Sequence, residues 1–520
     1  MPIRIKKDSG SNKSQRRISR GRRSSTHGSS GGGGLINILL PIFIKLFKKN
    51  PKIAIILILL GVGGYFLLSK SSISTDNSTL KSLLLSTGLE MDERVYDKAE
   101  VFEPLADNVN NPLPESVSLE EYCPKRMNQG GQGSCVGWSS AYAARTIMHA
   151  RATGQDPDEV TFSPAYLYNQ IALPNCQGTY LQNAMEVMNK GGLLPFSRFA
   201  YNENSCAKKP TNTELQAASD YRIKGFSRLS KDGDNYTTDL LAIKQNLAQG
   251  APVVIGMMVG GSFMSNMRGK KVWTPTRSDY SMQGFGGHAI CVIGYDDYFE
   301  GGAFQIMNSW GEDWGQNGLF WVRYNDFEYF TREAYGLYPM GNADAPTTTI
   351  LEVEIGLIEN ATGKNIPLHQ ESGILYTSQK SISANTDFKV EVTNSLECYT
   401  YIFGAETDGS SYILFPYTKK HSPYCGITGT RLFPKDHSLY PDKIGERDYI
   451  AIVISRQKLD YNQLNEAFNQ SSGNSYQEKV YNTLESELAL DVKYLPGNKV
   501  SFSTNSSMKN TVAIVLGINK

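Results

Sequence analysis

The sequence predicts an α+β domain joined to a β-sandwich-like domain, behind one N-terminal transmembrane helix. Three observations carry this. Between residues 113 and 342, helix-compatible patterns fill the first half, and short β-branched or aromatic runs, "APVVIGMMV", "HAICVIGYDD", "AFQIMNSW" and "GLFWVRY", fill the second. Helices first and antiparallel strands later is an α+β layout. From Thr347 onward, "TTTILEVEIGLI", "FKVEVTN", "CYTYIFGAETDGSSYILFPY", "DYIAIVISR", "KVSFSTN" and "NTVAIVLGI" are strand-like. Asp408-Gly409 is a hairpin turn among them, and Tyr461 to Leu490 is a helical insertion broken at "NQSSGNS". Ile53 to Leu68, "IAIILILLGVGGYFLL", is 16 residues without a charge, about 24 Å as a helix, with Lys52 and Lys70 placed to snorkel to the interfaces.

At 520 residues the chain exceeds one ordinary core. Residues 1–34, rich in Arg, Lys, Ser and Gly, read as a disordered basic tail. Residues 35–69 form a membrane-associated and transmembrane segment, opened by the apolar Leu35 to Phe47 with its Pro41 and Lys45 interruptions, and 70–112 form a linker or docking arm. The folded domains follow at 113–342 and 347–520. The net charge of +1 hides an asymmetry, because residues 1–52 carry 13 Lys and Arg against one acid and leave a body of 39 basic and 50 acidic residues. An acidic body excludes a nucleic-acid partner. The basic flank puts the tail in the cytoplasm and everything from Ser69 outside, in a periplasmic or extracellular space. A cleaved signal peptide is the alternative, opposed by the long basic stretch ahead of the apolar run and the lack of a small-residue cleavage site after Leu68.

Outside the cytoplasm disulfides persist, and the seven cysteines, Cys123, Cys135, Cys176, Cys206, Cys291, Cys398 and Cys425, leave at least one thiol unpaired. Cys135 ends "NQGGQGSC", where a Gly-rich turn opens an Ala-rich helical run whose free N–H groups and dipole favour a thiolate. A thiolate nucleophile needs a base, a group to orient that base, and donors for the oxyanion. His149 lies 14 residues along the same helix, about 21 Å from the sulfur, and cannot serve. His27, His369, His421 and His437 lie outside the domain. That leaves His288 in "GFGGHAICVIGYDD", at the start of a predicted strand. Asn308, in "NSWGEDWGQNGLFWVRY", can accept a hydrogen bond from one ring nitrogen and leave the other for the thiol, with Trp310 as a roof. No cofactor and no metal is implied. The β-rich end has no catalytic spacing and reads as a binding or scaffolding module with a possible protein partner.

The order Cys, His, Asn with a Gln six residues before the Cys resembles the papain-like cysteine peptidases over roughly Leu113 to Leu337. "NQGGQGSC", "GGHAICVIGYDD" and "NSWGEDWGQNG" are similar to that family's nucleophile, base and Asn-Trp blocks. The resemblance implies a two-lobed domain, one lobe helical and one antiparallel β. It implies Cys135 as nucleophile, His288 as base, Asn308 as its orienter and Gln129 as oxyanion donor. It also implies a substrate cleft lined by Gly178, Gly286, Gly287 and Trp310, with Trp314 completing an aromatic shield. The activity implied is hydrolysis of a peptide or protein substrate through a thioacyl enzyme, started by a Cys135–His288 thiolate/imidazolium pair. Departures are Val136 in place of an aromatic residue, with Trp138 two further on, and Gln132 in place of a cysteine. The partner that the resemblance implies for Cys176 is Cys206. No stretch of the length usual for the family's inhibitory helical pro-domain precedes residue 113, so activation by cleavage is not implied. The β-rich end resembles, more loosely, the domain that follows papain-like domains in some bacterial exported proteins. The rival functions are a catalytically silent membrane-anchored binding protein and an amidase or transpeptidase acting on cell-wall peptides.

Overall fold

The computed structural model describes residues 3–8, 86–107, 109–338, 350–384, 386–505 and 509–520; the expected transmembrane segment Ile53–Leu68 lies outside the described residues. Among the described residues no helix is long and apolar enough to cross a membrane.

In the first domain a helix starts at Cys135 and runs on as Cys135–Gly137, a π-wound Trp138–Arg145, and Thr146–Thr153. Its first half is Ala- and Ser-rich and wholly buried, which lets neighbouring elements approach closely. Helix Pro164–Ile171 starts on the Ser163 side chain, which accepts from Tyr166 N, with proline in the first turn where its missing N–H costs nothing. Helix Leu181–Lys190 buries Leu181, Ala184, Met185 and Met188, the i, i+3, i+4, i+7 stripe of an amphipathic helix.

Against these helices stands an antiparallel sheet. With β1 as Ile3–Lys7, its strands are β2 (Ser116–Ser118), β3 (Gly225–Arg228), β4 (Val253–Val259), β5 (Gly286–Asp296), β6 (Ala303–Met307), β7 (Leu319–Arg323) and β8 (Thr331–Tyr338). The order is β3-β8-β4-β5-β6-β7, with β2 also on β5. The layers are those expected, helices first and sheet later. Strand β5 is buried almost from end to end and carries His288 at its third position.

The second domain packs a sheet of eight strands, β1 among them, on a sheet of seven. In strand Arg447–Ser455, Ile450, Ile452 and Ile454 enter the core between the sheets. Ala451 and Val453 face the other way, under helices Tyr461–Gln470 and Tyr476–Leu484. A strand covered on both faces reads as continuous apolar sequence, as this one does. The β-sandwich and its helical insertion are as the sequence predicted.

Residues 97–107 and 109–111, within the expected arm, lie between the two domains. Phe102 N donates to Arg228 O, Val101 N to Lys420 O, Ser422 N to Val101 O, and Ala106 N to Thr430 O. Phe102 and Leu105 join the first domain's core. The buried Arg431 guanidinium donates to Glu103 O (3.0 Å), Asn394 Oδ1 (2.9 Å) and Ile427 O (3.0 Å).

Strand β1 pairs antiparallel with His437–Pro441 at the edge of the eight-stranded sheet. Ile3 is fully buried there, and Asp8 pairs with the buried Lys389 ammonium at 2.7 Å. Residues 3–8 and the β-rich domain thus share one side of any membrane.

Removing a buried donor leaves its acceptors unmet, so Arg431→Met is expected to lower the unfolding free energy by about 3 kcal/mol, read from denaturant melts.

Candidate active site

Two loops build the site. The Gly-rich loop is shaped by Asn128, whose Oδ1 accepts from Gly130 N at 2.9 Å, and by Tyr201, whose hydroxyl donates to Gln129 O (2.7 Å) and meets Ser134 Oγ (2.6 Å). The loop after β6 carries Asn308, Ser309 and Trp310. The two are joined by a bond from Gln129 N to Ser309 O and by a bridge between Asn128 and Trp310. Ser309 Oγ donates to Gln129 Oε1 at 2.7 Å, which turns the carboxamide nitrogen toward the cleft.

Cys135, at the helix tip, receives the Ala289 amide on its sulfur at 3.4 Å, so the thiol adjoins the residue next to His288. His288 Nε2 donates to Asn308 Oδ1 at 2.8 Å, which also accepts from Ser309 N at 2.8 Å. His288 Nδ1 is buried and has no hydrogen-bond partner among the described residues. Trp310 stacks on the imidazole, ring centres 4.4 Å apart and planes 21° apart, and roofs the His–Asn bond. Trp314 meets Trp310 edge-on at 5.3 Å. His149 instead packs between Phe162 and Tyr221. The disulfide joins Cys176 to Cys206, and Gln132, in the cysteine's place, donates to Asn202 O at 3.3 Å. Val136 is buried in the core, and Trp138 is wedged edge-on against Tyr142 and Tyr201.

The cleft is filled. Residues 86–91, "STGLEM", run through it as an extended strand. Ser86 O accepts from Gln129 Nε2 (3.0 Å) and Trp310 Nε1 (3.1 Å). Thr179 N donates to Gly88 O at 2.9 Å, Glu90 N to Thr179 O at 3.0 Å, and Leu89 N to Gly287 O at 3.1 Å. Glycine is required on both sides of this contact: a Cβ on Gly88 would lie 2.1 Å from Gly133 O, and one on Gly178, at φ +112°, 2.4 Å from Gly88 O. Cβ positions on Gly286 and Gly287 meet Thr87 Oγ1 at 3.1 Å and Leu89 O at 2.3 Å. All four residues expected to line a substrate cleft, Gly178, Gly286, Gly287 and Trp310, therefore touch this strand. Sequence reasoning missed the strand itself, along with Ser309 and Tyr201; a short polar-apolar run in a linker and two isolated hydroxyls carry no pattern to find.

The strand also changes the electrostatics. Burial pushes the Cys135 thiol up to about 12 and lowers His288 to about 4, so both are neutral. Burial thus disfavours the expected thiolate/imidazolium pair in this closed form. Ala289 N–H points at the sulfur, and Gly88 N donates to Gly287 O at 3.4 Å.

A thiol, an imidazole and a carboxamide gathered at the junction of a helical layer and an antiparallel sheet define a cysteine hydrolase. The sequence model of the family described as papain family cysteine protease matches residues 113–340. Curated relatives include an uncharacterized peptidase C1-like protein of Acanthamoeba polyphaga mimivirus, 27% identical over 262 residues, 48% of this chain and 76% of that protein. Another is the cathepsin B-like CP2 of Giardia intestinalis, 27% identical over 227 residues, 40% of this chain and 68% of that protein. Among solved structures, xylellain, a cysteine protease from Xylella fastidiosa, is 24% identical, with a TM-score of 0.40 over 49% of this chain and 96% of its own. Residues 113–340 are thus similar to papain-family cysteine proteases, and the enzyme is a cysteine peptidase.

A thiol whose pKa is raised on closing stabilises the closed form fully below its ordinary 9.0 and loses that contribution as pH climbs through about 12. Alkylation of Cys135 by iodoacetamide in the full chain is expected to be slow near neutral pH and to accelerate steeply above the ordinary thiol pKa, with no thiolate ultraviolet absorbance before that.

Proposed function

We propose that Cys135 attacks a peptide carbonyl after His288 takes its proton, that Asn308 holds the imidazole with Nδ1 toward the thiol, and that Gln129 Nε2 and the Cys135 N–H receive the oxyanion. Water then releases the acid from the thioacyl enzyme. The observation that carries this reading is Ser86 O on Gln129 Nε2 at 3.0 Å, a backbone carbonyl held by the amide that an oxyanion requires. Substrate peptides run where residues 86–91 now lie, so the closed chain is latent and the strand must leave before turnover. The β-rich domain holds the continuation of that strand and is its anchor. An amidase acting on cell-wall peptides would use the same residues, and product analysis separates the two.

We also propose that both domains work outside the cytoplasm, attached to the membrane through residues 35–69; the Cys176–Cys206 disulfide supports an oxidising compartment. The pairing of β1 supports placing the N-terminal strand on the same side. Ile5, exposed on β1, offers the test: an impermeant maleimide is expected to label Ile5→Cys on intact cells, and labelling only after permeabilisation restores the cytoplasmic tail.

Cys135→Ala is expected to abolish hydrolysis of a peptide library. Gln129→Ala is expected to lower kcat on the order of a hundredfold. Gly88→Val cannot fit under Gly133 O and is expected to raise both hydrolysis and Cys135 alkylation. Hydrolysis by Cys135→Ala at the rate of the unsubstituted chain would sink the nucleophile assignment.

A further inference from the structure

Two buried cysteines of the β-rich domain stand directly opposite each other. Strand Cys398–Ala405 pairs antiparallel with the two-residue strand Tyr424–Cys425, and the register sets Cys398 against Cys425 and Tyr399 against Tyr424. Residues opposite each other in an antiparallel pair share a face, with Cα atoms about 4.5–5.5 Å apart. A disulfide spans roughly 4.4–6.8 Å between Cα atoms, so this backbone accepts the bond without rearrangement. Both side chains enter the core between the sheets, and both sulfurs are thiols in this structure.

A buried cysteine commonly serves as a small apolar residue. This pair is surrounded differently. The Cys398 S–H hydrogen-bonds to Cys425, the Thr400 hydroxyl lies 3.4 Å from the Cys425 sulfur, and the Arg431 guanidinium adds its charge. The Cys398 hydrogen bond, opposed by burial and helped by Arg431 and Thr400, pulls the Cys425 thiol below its ordinary range, while Cys398 is raised. One sulfur is thus prepared as the attacking thiolate, and its neighbour holds the second proton. The strand that carries Cys425 is two residues long and has no strand beyond it among the described residues, so local opening suffices to expose the sulfur.

The segment that ends at Cys425 clasps the continuation of the cleft strand. Within residues 417–422, Lys420 O accepts from Val101 N, Ser422 N donates to Val101 O, the Tyr417 hydroxyl donates to Glu103 Oε1 (3.2 Å), Ser422 Oγ donates to Glu100 Oε2 (3.2 Å), and the Lys420 ammonium pairs with Asp97 at 3.0 Å. Beyond Cys425, Thr430 O accepts from Ala106 N and Arg431 donates to Glu103 O. Cys425 therefore lies between two stretches that hold the arm. Tyr424 beside it packs in the first domain's core, its ring centre 5.3 Å from that of Tyr338.

We propose that Cys398 and Cys425 form a redox-controlled disulfide that fastens this clasp to the sheet, so that oxidation holds the cleft strand in place and reduction loosens it. The oxidant is a low-molecular-weight disulfide, RSSR. The Cys425 thiolate attacks one of its sulfurs and expels RS−, leaving a mixed disulfide on Cys425. Cys398 then gives up its proton, attacks the Cys425 sulfur and expels the second RS−. Two protein thiols are oxidised to one disulfide, and RSSR is reduced to two RSH, which take up the two protons lost. The consequence for hydrolysis rests on the latent-peptidase reading, but the bond and its hold on the cleft do not, and neither arm of the test needs turnover.

In the first arm the full chain is equilibrated with glutathione disulfide, unfolded in denaturant with iodoacetamide, and digested without reduction. The expected map links the Cys398 peptide to the Cys425 peptide and leaves Cys123, Cys135 and Cys291 alkylated. Alkylation of both Cys398 and Cys425, a lasting glutathione adduct on either, or a link to another cysteine overturns the proposal. In the second arm the folded chain, oxidised or reduced with dithiothreitol and then freed of reagent, is pulsed with iodoacetamide. Cys135 alkylation is expected to be about tenfold faster or more in the reduced form, the order of constraint that one disulfide imposes. The reductant also opens Cys176–Cys206, so the control is the Cys398→Ala/Cys425→Ala chain, or Cys398→Val/Cys425→Val where the first does not fold. In the control the two forms are expected to react alike. Equal rates for both forms of the unsubstituted chain, or the same acceleration in the control, overturns the proposal.

Discussion

The state of this molecule depends on keeping water away from one sulfur. Cys135 lies at a helix tip, where dipole and free amides favour a thiolate, and it adjoins the strand that carries an imidazole. Yet the strand across it removes the solvent that a charge pair requires. In a dry pocket the cost of separating charge exceeds what the dipole returns, and both groups stay neutral. Under the proposed function closure acts twice: it fills the place a substrate would take, and it disfavours the ionised form of the Cys135 thiol. The backbone bonds that hold Ser86, Gly88 and Leu89 ask little of side-chain identity except smallness at Gly88, which is why so short a segment suffices.

That strand does not end at the cleft. It continues through the short helix Glu93–Tyr96 and, over residues 97–107, between the peptidase and β-rich domains, where it exchanges backbone bonds with both. Arg431, buried in the β-rich domain, holds the carbonyl of Glu103 in this segment. A segment gripped on both sides holds its neighbour in the cleft at high local concentration, so its binding there is intramolecular and concentration-independent. This grip gives the β-rich domain a physical task.

Much of the site was legible because its chemistry is written in short, ordered blocks. Cys135, His288, Asn308 and Gln129 each stand beside glycines or tryptophans that make sense only if backbone and rings must come close. The layers of both domains were legible too, since periodicity reports which faces are covered. The cleft strand was not. "STGLEM" has neither period nor motif, and its meaning lies in what it touches, two loops far away in sequence. The pairing of Ile3–Lys7 with His437–Pro441 was not legible for a related reason: it is a contact across more than 400 residues.

By itself the sequence determined the α+β and β-sandwich architectures and singled out the thiol, imidazole and carboxamide that meet in the cleft, because these depend on local pattern and on residue types with few alternative uses. Only the tertiary structure decided that the cleft is closed and that burial disfavours the charged forms of Cys135 and His288. Each of these is a matter of solvent exclusion and strand register, properties that arise when distant segments meet and that no single stretch of the chain possesses.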